Sequence, residues 1–326
     1  MQSARTLPLI VLMLLFLHGC NTDGDSSNPA QTDPPAQTQN PAQPQNSAQP
    51  QNNSDDVPFE SEFISVKTQG AGPDVILLHG FASSPDVWSG VATTIDSRFR
   101  LHLVHVAGLA GSPAAENVPE SYLETIRDEI ARYIEVGKLK KPVLIGHSMG
   151  GLLSLLVSSK EPSTVGRVII VDALPFFSLL FNPLATSEQV LPQAEALEKQ
   201  MVSLDDRQFE QQAKSSASIL TKDGEKKDLL LKWSKESDRK TYAQLFREVM
   251  AYDARPELHK IACPIVVVYA YDKAMNVPEA QLAHLYANAY ANVKGVRIQR
   301  VADSFHFIMW DQPENFQKAL NEVLPR

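Results

Sequence analysis

The segment Gly146-His147-Ser148-Met149-Gly150 contains residue types that indicate nucleophilic chemistry. An apolar run, Pro142 to Ile145, precedes the segment and a helical pattern begins at Gly150, so the serine lies in a turn between a strand and a helix. Glycines on both sides allow a sharp turn without a Cβ colliding with either element. The turn also places the hydroxyl at a helix N-terminus, where the dipole favours developing negative charge. The pattern predicts that Ser148 is a nucleophile.

A serine nucleophile needs a general base, and we expect His306 to supply it. His306 follows the last predicted strand, Val296–Val301, and precedes the last predicted helix, Pro313–Val323. His147 lies inside the serine turn, and we expect its side chain to point away from that of Ser148.

The acid that orients the base is expected on a loop after a strand, between the serine and the histidine in chain order. Asp272 satisfies both conditions, because it follows the strand beginning at Ile265. Asp172, directly after the strand Arg167–Val171, is the alternative. Asp303 is too close in sequence to His306 to be preferred.

A tetrahedral intermediate on Ser148 would need two backbone N–H donors. Met149, the residue after the nucleophile, is expected to supply one of them. The segment His79-Gly80-Phe81 follows the apolar strand that ends at Leu78, and Phe81 is the expected second donor.

Strands and helices alternate along the chain from about residue 58, which predicts an α/β fold with a mostly parallel, doubly wound sheet. About ninety residues after Asp172 lack a convincing strand and show amphipathic helical patterns. We interpret residues 174–260 as a helical cap insertion within one catalytic domain, residues 58–326.

Together these motifs resemble the α/β-hydrolase superfamily, in the branch of esterases, lipases and thioesterases that carry a helical cap. The resemblance covers about Phe63 to Leu324 and includes the glycine-serine loop from Ala107 to Pro113. It implies a doubly wound sheet, a Ser-His-Asp triad, and neither a cofactor nor a metal. The implied activity is hydrolysis of a small-molecule carboxylic ester, with thioester or lactone hydrolysis as alternatives. A non-catalytic binding protein on the same fold is a further alternative.

An apolar stretch after residue 174 could form an acyl pocket beneath the cap. Its candidate lining residues are Phe176, Phe177, Leu180 and Phe181. The alternative is that these side chains form the cap's own core, where large apolar residues are common.

The N-terminal residues predict export. The apolar run Leu7–Leu17 would rise only about 16 Å as a helix, which is too short to span a bilayer and fits a signal peptide. The run leads to Leu17-His18-Gly19-Cys20, which resembles the lipobox of bacterial lipoproteins and implies that Cys20 is lipidated and anchors an exported protein in the bacterial cell envelope, on its periplasmic or cell-surface side. An ordinary signal cleaved near Gly19 is the alternative.

Residues 21–57 differ sharply in composition from what precedes and follows them. They repeat Pro, Ala, Gln and Asn and contain no aromatic residue, so they predict a disordered tether. The whole chain has a formal net charge of −8, and its Lys and Arg residues are scattered, which argues against a nucleic-acid partner.

Overall fold

The structure, a computed structural model, describes residues 59–325. Its strands are β1 (Ile64–Gly70), β2 (Asp74–Leu78), β3 (Arg100–Val106), β4 (Val143–His147), β5 (Arg167–Val171), β6 (Ile265–Tyr271) and β7 (Arg297–Ala302). Its α-helices are α1 (Ser89–Ile95), α2 (Tyr122–Val136), α3 (Met149–Lys160), α4 (Ser187–Ser203), α5 (Asp206–Leu220), α6 (Gly224–Lys235), α7 (Arg239–Ala251), α8 (Glu279–Ala289), α9 (Ile308–Asp311) and α10 (Pro313–Val323). Short 3₁₀ helices occur at Pro85–Trp88, Phe177–Leu180, Arg255–Lys260 and Lys273–Met275.

The strands form a seven-stranded sheet in the order β1-β3-β2-β4-β5-β6-β7. All neighbouring strands pair in parallel except β1, which is antiparallel to β3. Because the parallel strands share one direction, their carboxyl ends lie along one edge of the sheet, where ligands bind in open α/β sheets. This arrangement confirms the predicted fold class.

The central strands are apolar throughout because both faces of the sheet are covered. In β2, Val75 and Leu77 point into one core, which contains residues of α1 and α10. Ile76 and Leu78 point into the other core, which contains residues of α2, α3 and α8. The two cores hold the sheet rigid beneath the residues at its carboxyl edge.

Strand β1 and helix α1 were absent from the sequence-based expectation. In β1 only Ile64 is buried, and the other six residues are partly or fully exposed. An edge strand that packs little apolar surface leaves no apolar run in the sequence, so its pairing with β3 could not be read there.

Helices α4 to α7 lie between β5 and β6 and form the cap. The segment between α6 and α7 is fastened to the glycine-serine loop, where Asp238 N donates to Gly108 O at 2.8 Å and Gly111 N donates to Glu236 O at 3.1 Å. Gly108 has φ +77°, and a Cβ there would lie 2.7 Å from Thr241 Oγ1 in α7, so the cap approaches this loop closely.

A buried carboxylate fastens the cap to helix α2. Glu248 of α7 accepts hydrogen bonds from Tyr122 N at 3.0 Å, Leu123 N at 2.8 Å and Ser121 Oγ at 2.9 Å. The N–H groups in the first turn of a helix lack partners within the helix, so a carboxylate placed there stabilises it.

Among the helices of residues 59–325, none combines the length and apolar composition that a membrane crossing requires. The predicted signal segment (residues 1–20), lipidation at Cys20 and tether (residues 21–57) lie outside the described residues.

Candidate active site

Ser148 occupies a strained turn between β4 and α3. Its backbone has φ 53° and ψ −119°, and left-handed φ values of this kind are costly for a residue with a side chain. Ser148 N donates to Val171 O at 3.0 Å, which fixes the turn against β5. A Cβ on Gly150 would collide with the Leu78 carbonyl, so only glycine permits helix α3 to begin this close to β2. The predicted nucleophile turn is therefore present at Ser148.

His306 lies in the loop between β7 and α9, with its side chain about one quarter exposed. Its Nδ1–H donates to Asp172 Oδ2 at 2.7 Å. In a neutral imidazole with Nδ1 protonated, the lone pair is on Nε2, which is the state that a general base needs.

Asp172 reaches His306 because of its position in the sheet. His147 at the end of β4 pairs with Val171 at the end of β5. Ser148 and Asp172 therefore directly follow the ends of two adjacent strands. Asp172 has φ 48°, and Ala270 N of β6 donates to its Oδ1 at 2.8 Å. The left-handed backbone turns the carboxylate toward β6 and the loop beyond β7.

The expectation that Asp272 orients His306 is wrong in this structure, which gives that contact to the alternative, Asp172. Asp272 forms an ion pair with Lys222 of the cap and accepts a hydrogen bond from Ala274 N at 2.7 Å. The hydrogen bond from Lys222 is the main cause of a lowered pKa for the Asp272 carboxyl. Asp272 thus attaches the cap to the loop after β6.

His147 contributes more to the site than expected. Its Nε2–H donates to the His306 carbonyl at 3.1 Å, and the centroids of the two imidazole rings lie 4.4 Å apart. Burial, followed by the proximity of His306, lowers the pKa of His147 well below its usual value, so its ring is neutral. The residue before the nucleophile therefore fixes the backbone of the base.

The loop that carries His306 is also fastened to the turn between α5 and α6. Asp311 Oδ2 accepts from Phe305 N at 2.8 Å, and its Oδ1 accepts from Thr221 Oγ1 at 2.6 Å and Lys222 N at 2.9 Å. Lys222 Nζ also donates to the Asp303 carbonyl at 2.9 Å. One carboxylate and one ammonium group thus connect the cap to the loop.

The two expected oxyanion donors lie on segments that pack against Ser148. Met149 begins α3, so its N–H has no acceptor within the helix. Gly80 precedes Phe81, and a Cβ on Gly80 would lie 3.2 Å from Ser148 Cβ and 2.8 Å from His147 Nδ1. Within residues 59–325 no hydrogen-bond acceptor is recorded for the N–H of Phe81 or Met149, so both are available to a bound oxyanion.

His79 fixes the start of this segment. Its Nδ1–H donates to Gly80 O at 2.8 Å, and its Nε2 accepts from Val106 N at 3.1 Å. Burial, with a smaller effect from nearby His105, lowers the pKa of His79 from 6.5 to about 3.

Because unfolded chains protonate this histidine at 6.5 and the folded protein does so only at about 3, acid favours unfolding. Protonation of His79 in the unfolded chain has little effect on the free energy of unfolding above pH 6.5, and it lowers that free energy by about 2 kcal/mol at pH 5. Urea unfolding at pH 7 and pH 5 measures the loss, and we expect His79→Gln to reduce it. The exposed His284→Gln variant is the control, and an equal effect of both substitutions would contradict the assignment.

The ring of Phe81 packs against two aromatic residues of α7. The Phe81 ring lies 4.5 Å from the Tyr242 ring and 5.7 Å from the Phe246 ring, between ring centroids. Sequence reasoning missed both residues, because aromatic positions in an amphipathic helix carry no sign of what they face.

The predicted pocket residues have different environments. Phe176 is fully buried in the core that contains residues of α2, α3 and α8, and the Arg255 guanidinium lies 5.2 Å from its ring centroid. The Phe177 and Phe181 rings pack edge to face with their centroids 5.4 Å apart, and Leu180 is partly buried against the same core. A pocket lined by Phe177, Leu180 and Phe181 stays a prediction. In the described part of the chain, no cluster of three or more His, Cys, Asp or Glu residues could hold a metal ion.

Comparison with known proteins agrees with this architecture. A family profile described as the alpha/beta hydrolase fold matches residues 73–313. The pimeloyl-[acyl-carrier protein] methyl ester esterase of Aeromonas hydrophila is 34% identical over 114 residues, which are 35% of this chain and 43% of that protein. The enzyme of the same name from Nitrosomonas europaea is 31% identical over 115 residues, 35% of this chain and 42% of that one. The matched segment thus spans less than half the length of these relatives.

Solved structures are similar over most of the described chain. An esterase from Exiguobacterium antarcticum has a TM-score of 0.65 at 22% identity, and the match covers 79% of this chain and 94% of that one. The enol-lactonase from Burkholderia xenovorans has a TM-score of 0.62 at 18% identity, with coverage of 79% and 95%. At these identities the likeness establishes the fold alone.

Proposed function

Because the chain belongs to the α/β-hydrolase fold family, we propose that it is a serine hydrolase that cleaves a carboxylic ester through an acyl-enzyme on Ser148. The observation that carries the proposal is the 2.7 Å hydrogen bond from His306 Nδ1 to Asp172, in a loop that His147 fastens to the nucleophile turn. Asp172 and His147 thereby hold the base, His306, at the same edge of the sheet as Ser148.

In the proposed mechanism, His306 Nε2 takes the Ser148 proton as Oγ attacks the ester carbonyl carbon. Asp172 holds the imidazole in the required tautomer and stabilises the imidazolium that forms. The N–H groups of Phe81 and Met149 bind the oxyanion. Collapse of the tetrahedral intermediate expels the alcohol, which takes its proton from His306, and a water molecule then releases the acid by the same steps in reverse order.

The proposed substrate is a small ester with a short or medium acyl chain. The relatives named above are methyl ester esterases. The match to them covers 35% of this chain and less than half of each relative. The proposed chain length rests on the resemblance of the sequence to small esterases, because the Phe81 ring packs against Tyr242 and Phe246 as part of a buried apolar cluster of the cap.

The test is hydrolysis of p-nitrophenyl esters of graded chain length by the purified protein, alongside labelling with a fluorophosphonate probe. We expect turnover with an optimum at short or medium chains, and covalent labelling of Ser148. Labelling with turnover of only thioesters or lactones would correct the substrate class. Absence of both labelling and turnover would favour a binding protein on this fold.

We also propose that Cys20 carries the lipid that anchors the protein in the bacterial cell envelope. The support is the apolar run ending at a lipobox-like cysteine, followed by a composition suited to a tether. Several acyl chains, at about 0.8 kcal/mol per buried methylene, would hold such an anchor stably.

We expect Cys20→Ser to move the protein from the membrane fraction to the soluble fraction and to abolish incorporation of an alkyne fatty acid. Cys263→Ser is the matched control, because Cys263 is the free cysteine of the described chain and should not affect fractionation. An unlabelled wild-type protein in the soluble fraction would indicate an ordinary cleaved signal instead.

A further inference from the structure

The Asp172 carboxylate has a third hydrogen-bond donor besides His306 and the backbone of β6. The Tyr286 hydroxyl donates to Asp172 Oδ1 at 3.1 Å, on the same oxygen that accepts from Ala270 N at 2.8 Å. Oδ2 accepts from His306 alone among the recorded partners. The two oxygens therefore have distinct partners, with one oxygen held by the scaffold and the other facing the base.

Tyr286 is rigidly held. It lies on α8, is 4% exposed, and its ring stacks on that of Tyr269 in β6 with centroids 4.4 Å apart and planes 20° apart. A phenol packed in this way offers its proton in one direction, toward the carboxylate. Burial, followed by the negative charge of Asp172, raises the pKa of Tyr286 well above its usual value, so it remains a donor across the working range of pH.

We propose that Tyr286 is a positioning residue of the hydrolytic site. Its hydroxyl holds Asp172 so that Oδ2 faces His306, and the hydrogen bond that it donates offsets part of the negative charge of the carboxylate. This inference rests on the proposed function, because it assigns a role relative to Asp172 and His306. Tyr286 would act through Asp172 without touching the substrate.

The titratable groups near this pair keep their charge states near neutral pH. Burial raises the pKa of Tyr269, Tyr286 and Tyr290, so these phenols stay protonated. Burial lowers the pKa of His147 and His79, so these rings stay neutral. The Lys222–Asp272 ion pair touches the His306 loop through the Asp303 carbonyl. These phenols and these two imidazoles therefore do not change charge near neutral pH.

The test compares Tyr286→Phe with Tyr290→Phe. Both tyrosines are almost fully buried, and each substitution removes one hydroxyl. The Tyr290 hydroxyl donates to the Ala173 carbonyl at 2.8 Å, one residue beyond Asp172, and has no recorded bond to the carboxylate. Tyr290→Phe thus controls for the loss of a buried hydroxyl in the same region.

We expect Tyr286→Phe to lower kcat on the order of tenfold with little change in KM, because a carboxylate released from Tyr286 no longer keeps His306 in the orientation that proton transfer from Ser148 needs. The acid limb of the kcat/KM profile should move roughly half a pH unit upward, because a carboxylate with one fewer donor holds the protonated imidazole more strongly. In an Asp172→Asn background Tyr286→Phe should have little further effect. Tyr290→Phe should leave the profile unchanged.

Incorporation of 3-fluorotyrosine at position 286 provides a second variant that preserves the packing. Fluorine strengthens the phenol as a donor, so the acid limb should move to lower pH. An active protein whose kcat and acid limb are unaffected by either change, or are affected equally by Tyr290→Phe, would overturn the inference alone. A wild-type protein without turnover and without fluorophosphonate labelling would overturn the proposed function together with it.

Discussion

Replacement of Ser148 by alanine is expected to lower kcat about 10⁶-fold on any ester that the wild-type protein hydrolyses. The strained turn places this residue directly before α3, with Gly80, the residue before Phe81, packed against it. Without the hydroxyl no acyl-enzyme can form, and only the oxyanion donors and substrate binding remain to accelerate attack by water. Single-turnover and steady-state assays over a long time course can measure so large a loss.

Ser158→Ala is the matched control for this experiment. Ser158 is also a buried serine of α3, and its hydroxyl donates to the Ser154 carbonyl at 2.8 Å. We expect this variant to retain its turnover and its labelling by the fluorophosphonate probe. Residual labelling of Ser148→Ala at the wild-type rate would show that a different nucleophile reacts.

Asp172→Asn is expected to lower kcat about 10⁴-fold, because an amide at Oδ2 favours the wrong imidazole tautomer and cannot stabilise the imidazolium. The same substitution at Asp272 is expected to change kcat by less than about tenfold, because Asp272 contacts Lys222 and the backbone of its own turn rather than His306. The pair of variants separates two aspartates that the sequence presents as alternatives.

The measurement is kcat for both variants at several pH values, with thermal unfolding as a check that each protein is folded. Asp272→Asn should lower the unfolding temperature, because it leaves Lys222 without its carboxylate. If Asp272→Asn were the inactive variant and Asp172→Asn the active one, the hydrogen bond at His306 Nδ1 would not be the catalytic one.

The parts of this protein that could be predicted are those whose chemistry is local in sequence. Ser148 stands in a short motif whose glycines are required by the same turn that positions the serine. The buried strand β5 is predicted with the bounds that the structure gives it, because apolar runs reveal strands covered on both faces.

The choice of acid could not be made in this way. Asp172 and Asp272 both follow buried strands, and their roles depend on the left-handed backbone of Asp172 and on Lys222, which comes from a distant part of the cap. Tyr286 was invisible for a similar reason. It occupies one position of an amphipathic helix, and its contact with Asp172 joins residues 114 apart in the sequence.

The connection through Asp311 and Lys222 has a consequence for how such a protein can diversify. Exchange of the cap for one from another protein would remove Thr221 and Lys222, and with them the contacts that Asp311, the Asp303 carbonyl and Asp272 make to the cap. Recombination at the ends of the cap would therefore alter the support of the histidine loop along with the substrate surface. A transplanted cap would therefore need a matching Thr-Lys turn to keep the loop of His306 in place.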